Sequence, residues 1–303
     1  MHHVISALRR PWIGPLFALG LLYGLFCVLA PETFPGTVNL STMARQTVVV
    51  AIAAVGMTFV IVLGGIDLSV GSAVALTTVV VARALRADLG PWNAVLLGLL
   101  VPALAGFVNG ALVTGLRITP FIVTLGTMSV LRGVAKGLAD EQKIDADPRG
   151  LDTLMAAPAP GEGWLPPGVW VAASVVLAAA VALRYTVFGR HAIAIGSNEQ
   201  TARLCGVPVV ATRLAVYALA GTLAGLAGVM EYSTLTVGDP TDSLGLELEV
   251  IAAVVIGGAS LSGGQGSILG ALVGALLMTE IKTGCTHVGV PNWVQEILTG
   301  TII

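Results

Sequence analysis

GGIDLSVGS, residues Gly64 to Ser72, lies between apolar runs that extend from Thr47 to Leu63 and from Leu68 to Leu85. It places an aspartate and a glycine-rich break where hydrocarbon should be. An ionisable group at that depth is costly, and non-helical backbone survives there only against protein or a wet cavity. Asp67 is therefore a candidate for a solute path. A shortened echo, GGASLSGGQGS, runs from Gly257 to Ser267, again between apolar runs. Two broken glycine/serine segments in corresponding halves of a hydrophobic chain point to transporter architecture.

Working outward, 55% of the 303 residues are hydrophobic and 11% are charged. Soluble domains carry roughly 25% charged residues. The chain is predicted to be an all-α, polytopic membrane protein of about ten spans, with very little left over for a soluble domain. A formal net charge of -2 gives no basic footprint, so nucleic acid is excluded as a partner. Cys27, Cys205 and Cys285 form no Cys-x-x-Cys pair and read as incidental small residues.

The first apolar stretch, about Trp12 to Ala30, follows Arg9 and Arg10 and lacks a clear Ala-x-Ala site. It reads as a retained span with a cytoplasmic N-terminus rather than a cleaved signal. Further spans are expected at Pro91 to Gly115, Thr119 to Ala139, Gly168 to Tyr185, Ala211 to Tyr232, Gly245 to Leu261, Ile268 to Thr283, and from Asn292 onward. The last run is too short to cross about 30 Å of hydrocarbon, so a truncated C-terminus is expected.

Between spans, the acidic, Pro- and Gly-rich connection of residues 140–167 is expected outside. The connection of residues 186–213 carries Arg190, His191, Arg203 and Arg213 and is expected in the cytoplasm. Within it, Ser197 with Gln200 fits a capping box, and Gly206 before Val207-Pro208 fits a helix stop. A short exposed helix is predicted there, although a solvated loop with one helical turn also fits the pattern. Small residues at every fourth position, Gly106 and Gly110, Gly221 and Gly225, and Gly266, Gly270 and Gly274, predict closely packed helices.

Catalytic signatures are missing from the sequence. There is no G-x-x-x-x-G-K-[ST] loop around Lys136, Lys143 or Lys282, no H-E-x-x-H, no Cys/His cluster and no G-x-S-x-G elbow. An enzyme is not expected.

The residues resemble the permease subunits of bacterial ABC importers of the ribose/xylose/galactoside type. The resemblance rests on AVGMTFVIVLGGIDLSVGSAVAL (Ala54 to Leu76), TPFIVTLGTMSVLRG (Thr119 to Gly133), GRHAIAIGSNEQTARLCGV (Gly189 to Val207), AGLAGVM (Ala224 to Met230), and the glycine-rich block from Gly245 to Leu277. It implies a single permease domain in the bacterial inner membrane that pairs with a second permease chain, a cytoplasmic ATPase and an extracytoplasmic substrate-binding protein. No cofactor would be bound by this chain; ATP would be used by the ATPase. The cargo would be a pentose, hexose or polyol. A branched-chain amino acid permease and an ion-coupled secondary transporter, with Asp67 as the ion site, are the competing readings.

By the same resemblance, Ser197, Asn198, Glu199, Ala202, Arg203, Leu204 and Gly206 would form the helix that docks on the ATPase. Glu199 and Arg203 would lie at its rim, with Ala202 and Leu204 as apolar filling. Gly64, Gly65, Asp67, Ser69, Asn109, Glu247, Gly257 and Gly258 are the candidates for the solute path or gate. Asp67 has two readings: a contact to solute or gate backbone, or a cap on the helix starting near Leu68, accepting from the amides of Ser69 or Val70. Glu231 and Glu249 are further polar groups in or near spans. Glu280 and Lys282 read as residues snorkelling to the interface.

Overall fold

The computed structural model describes residues 13–157 and 164–302. Arg9, Arg10 and Trp12, and part of the 140–167 connection, lie outside the described residues. The described chain forms twelve helices: α1 (Ile13–Leu29), α2 (Thr37–Val62), α3 (Val70–Arg86), α4 (Pro91–Gly115), α5 (Pro120–Leu138), α6 (Pro167–Tyr185), α7 (Val187–Ser197), α8 (Glu199–Leu204), α9 (Val209–Leu235), α10 (Leu246–Ile256), α11 (Ile268–His287) and α12 (Asn292–Ile302). Six of these are long and apolar enough to cross a membrane. The chain is an all-α polytopic membrane protein.

Local sequence explains where the helices begin. Pro91, Pro120 and Pro167 occupy the first turns of α4, α5 and α6, where the missing N–H costs nothing. The Ser267 hydroxyl caps α11 by accepting from the Gly270 amide at 3.2 Å. Helix α2 starts ten residues before the expected Thr47. Helix α10 is eleven residues long rather than the seventeen expected, so it spans only about 16 Å and is a half-helix. The segment before it also enters the bundle: β2 (Val237–Gly238) pairs antiparallel with β1 (Ile144–Asp145), and Gly238 packs on Thr78 and Val79 of α3.

Small residues set the centre of the bundle. Gly221 packs on Pro102 and Ala103, Gly225 on Gly98 and Leu99, and Gly106 on Tyr217, so α4 and α9 meet backbone to backbone. Gly270 and Gly274 bring α11 onto Gly257 and Ala253 in the same way. Helix α2 is buried along nearly its whole length, with Ile52, Ala54, Val60 and Ile61 wholly enclosed. In contrast, Leu96, Leu100, Leu104 and Phe107 of α4 and Phe17, Leu21 and Val28 of α1 are exposed. In water such faces would aggregate, whereas lipid covers them.

Helices α2, α9 and α11 connect the same two ends. Val62, the last residue of α2, lies beside Gly196 and Gly264, at the end that carries α8. Thr37, Leu235 and His287 mark the opposite end.

Candidate functional site

The two glycine breaks meet the α7–α8 connection at one point. The amide of Gly264 donates to the carbonyl of Val62 at 2.8 Å. A β-carbon on Gly263 would sit 2.9 Å from the Cα of Gly64 and 2.8 Å from the carbonyl oxygen of Gly196. One on Gly196 would fall onto the Val62 carbonyl and within 2.6 Å of the Gly264 amide. Gly64 and Gly263 have φ of +89° and +85°, a region that only glycine enters freely. Three chain segments therefore touch through backbone alone. Gly257 and Gly258 belong to the other end of the second break, where Gly257 packs on Gly270.

Asp67 is buried and anchors a polar chain. Its Oδ1 accepts from the Ser69 amide at 2.9 Å and from the Ser69 hydroxyl at 2.5 Å. Asn109 of α4 donates through Nδ2 to Ser69 Oγ at 3.1 Å, and Thr127 of α5 donates to Asn109 Oδ1 at 2.6 Å. Asp67, Ser69 and Asn109 are thus brought together, and Thr127 joins them, although its role was not readable from the sequence. The carboxylate forms an Asx turn just before α3, whose N-cap is Ser69 itself. Glu247, at the start of α10, lies against Gly71 in the first turn of α3. Gly65 faces the Tyr217 hydroxyl of α9.

Around α8 the structure corrects three expectations. The segment 186–213 is not a plain connection, because residues 187–197 form α7, capped by Thr186 accepting from the Gly189 amide at 3.2 Å. The capping box is not made. Ser197 ends α7 with its hydroxyl donating to the Ile193 carbonyl, and Asn198 caps α8 by accepting from the Thr201 amide at 2.8 Å. Asn competes equally well for this position, and only one residue can occupy it. Ala202 faces inward and is buried, so it cannot fill a groove on another protein. Glu199 is partly exposed, and its carboxylate accepts from Arg203 and from Arg213 of α9, both at 2.7 Å. The bond from Arg213, reinforced by Arg203, holds the Glu199 carboxyl below its ordinary range against the opposing effect of partial burial. Gly206 does stop the helix, with φ +80° and the Val207 amide donating to the Ala202 carbonyl at 3.0 Å. Leu204 is left 89% exposed.

Polar groups also converge at the opposite end. Lys282 of α11 pairs with Glu249 of α10, and the Thr283 hydroxyl donates to Gln46 Oε1 of α2 at 3.0 Å. Lys282 is therefore paired rather than snorkelling. Glu280 is fully buried, and neither of its carboxylate oxygens has a hydrogen-bond partner among the described residues. The close packing of α1 onto α11, which the sequence does not register, is what encloses it.

Residues 39–303 match the family model of the branched-chain amino acid transport system / permease component. The chain belongs to this permease family. Individual relatives cover almost all of it. The permease is 39% identical to the ribose import permease protein RbsC of Escherichia coli (strain K12), over 95% of its own length and 90% of the relative. It is 38% identical to the RbsC of Bacillus subtilis (strain 168), over 96% and 90%. With the L-arabinose transport system permease protein AraH of Escherichia coli (strain K12) the identity is 32%, over 96% and 87%. No solved structure gives a significant match. These relatives are permeases, not enzymes.

Proposed function

We propose that this permease is the membrane-spanning subunit of an ATP-driven importer of sugars, working in the bacterial inner membrane. It acts as a dimer with a second permease chain, a cytoplasmic ATPase supplies the energy, and an extracytoplasmic binding protein delivers the solute. The observation that carries the cargo is the near end-to-end similarity to permeases named for ribose and arabinose. The family model takes its name from amino acid transport. Its match alone does not choose a cargo, and the individual relatives do.

On this reading the α8 end faces the cytoplasm, in keeping with Arg190, Arg203 and Arg213 there. Leu204 is the apolar contact that α8 offers to the ATPase. Glu199, tied to Arg213, passes movement of α8 into α9. Gly196, seated on Val62 and Gly264, passes it to both breaks at once. The Asp67–Ser69–Asn109–Thr127 chain holds the first break in register with α4 and α5. The test of the cargo is titration of the partner binding protein with ribose, arabinose and leucine. Saturable binding of a pentose supports the proposal, and binding of leucine alone contradicts it.

A further inference from the structure

At the end opposite α8 a cleft of about 460 Å³ opens between α2, α9, α11 and the segment leading into α10. That volume falls within the range of about 300–1,000 Å³ typical of small-molecule sites. Its polar lining includes Thr42, Gln46, Glu231, Glu249, Lys282 and Thr283. Gln46 uses its carbonyl oxygen on Thr283 and has its amide donors to spare. Lys282 spends one donor on Glu249 and keeps two. The Glu231 carboxylate has no hydrogen-bond partner among the described residues. Glu231 also borders an adjoining recess of about 260 Å³ that includes Arg45, whose Nε is likewise buried without a partner among the described residues.

The cleft is blind. Val49, Val50 and Leu246 line its inner part, and beyond them α2 runs through buried residues, of which only Thr58 has a polar side chain, to Val62. At 1.5 Å per residue that leaves about 18 Å of sealed bundle between the cleft and the glycine junction. Unspent amide and ammonium donors beside an unspent carboxylate suit a ligand whose groups both donate and accept. Hydroxyls do both.

We propose that this cleft is the site through which the permease receives a neutral, hydroxyl-rich solute, with Glu231, Gln46 and Lys282 as its polar contacts. The proposal rests on the reading of the chain as a sugar importer subunit. The test uses cells that express the complete importer and labelled D-ribose. Glu231→Gln is expected to lower the maximal uptake rate by about tenfold or more. Its amount in the membrane and the stimulation of ATP hydrolysis by loaded binding protein should stay at wild-type levels. A second variant, Thr42→Cys in a chain without Cys27, Cys205 and Cys285, should lose uptake when an impermeant thiol reagent is added from outside. Normal uptake by Glu231→Gln, or full labelling of Thr42→Cys without loss of uptake, overturns the cleft while leaving the sugar reading intact. Absence of ribose uptake in the wild type overturns both.

Discussion

Asp67 shows how one carboxylate can be tolerated at membrane depth. Its Oδ1 is engaged by the amide and the hydroxyl of Ser69, so the carboxyl group faces donors rather than lipid. Asp67→Asn keeps an oxygen in the same place and is expected to retain most uptake. Asp67→Ala removes the acceptor and should cost about 0.5–2 kcal/mol, read as lower thermal stability of the purified protein. Equal, complete loss of uptake in both variants with normal folding would favour an ion-carrying Asp67. That this aspartate would bond the Ser69 amide was legible, because the interaction is local. The partners beyond it, Asn109 and Thr127, come from α4 and α5, and no spacing within the chain announces them. Glu280 was misread for the same reason, since its burial depends on neighbouring helices that its own segment does not specify.

Among the elements, α8 was legible as a short helix ending at Gly206, whereas its cap and its buried face were not. Ser197 and Asn198 are both good caps, and the choice between them follows from α7, an apolar helix hidden in a basic connection. Two substitutions separate docking from transmission. Leu204→Glu should release the ATPase, read as loss of co-purification with tagged permease, with uptake lost and the permease still present in the membrane. Gly196→Ala should keep the ATPase bound yet lose uptake, because the added methyl must push apart Val62 and Gly264, an overpacking cost of about 1–3 kcal/mol. If both variants retain wild-type uptake, α8 is an ordinary loop element. The Glu199–Arg213 tie also carries a pH dependence. The Glu199 carboxyl is held below the ordinary glutamate range, so its stabilisation of α8 on α9 is complete above that range. It is lost as pH falls through the depressed value. Hydrogen exchange of the α8 amides should therefore speed up relative to Glu199→Gln as acidification protonates the carboxylate, and Glu199→Gln should show no such step. Identical pH profiles would remove the tie from the account.

At the scale of the whole molecule, composition and the two glycine breaks were enough to read an all-α membrane bundle, because hydrocarbon imposes long apolar helices. The half-length of α10, the strand pair joining residues 144–145 to 237–238, and the meeting of both breaks with α7 depend on packing between distant segments and were out of reach. The proposed orientation, with the basic α8 end in the cytoplasm, is open to direct test. Cys205 is exposed while Cys285 is buried. In a Cys27→Ser, Cys285→Ser chain, Cys205 should resist an impermeant thiol reagent in intact cells and react in inverted vesicles; labelling from outside reverses the orientation. The central claim is that movement of a partner ATPase, delivered through α8 and the glycine junction, drives solute through this chain. Its most direct test is labelled ribose accumulation in proteoliposomes that hold the permease, its ATPase and the loaded binding protein. The account predicts accumulation that requires ATP and the ATPase, is abolished by Leu204→Glu, and is unchanged by ionophores; accumulation driven by an ion gradient with the ATPase left out would contradict it.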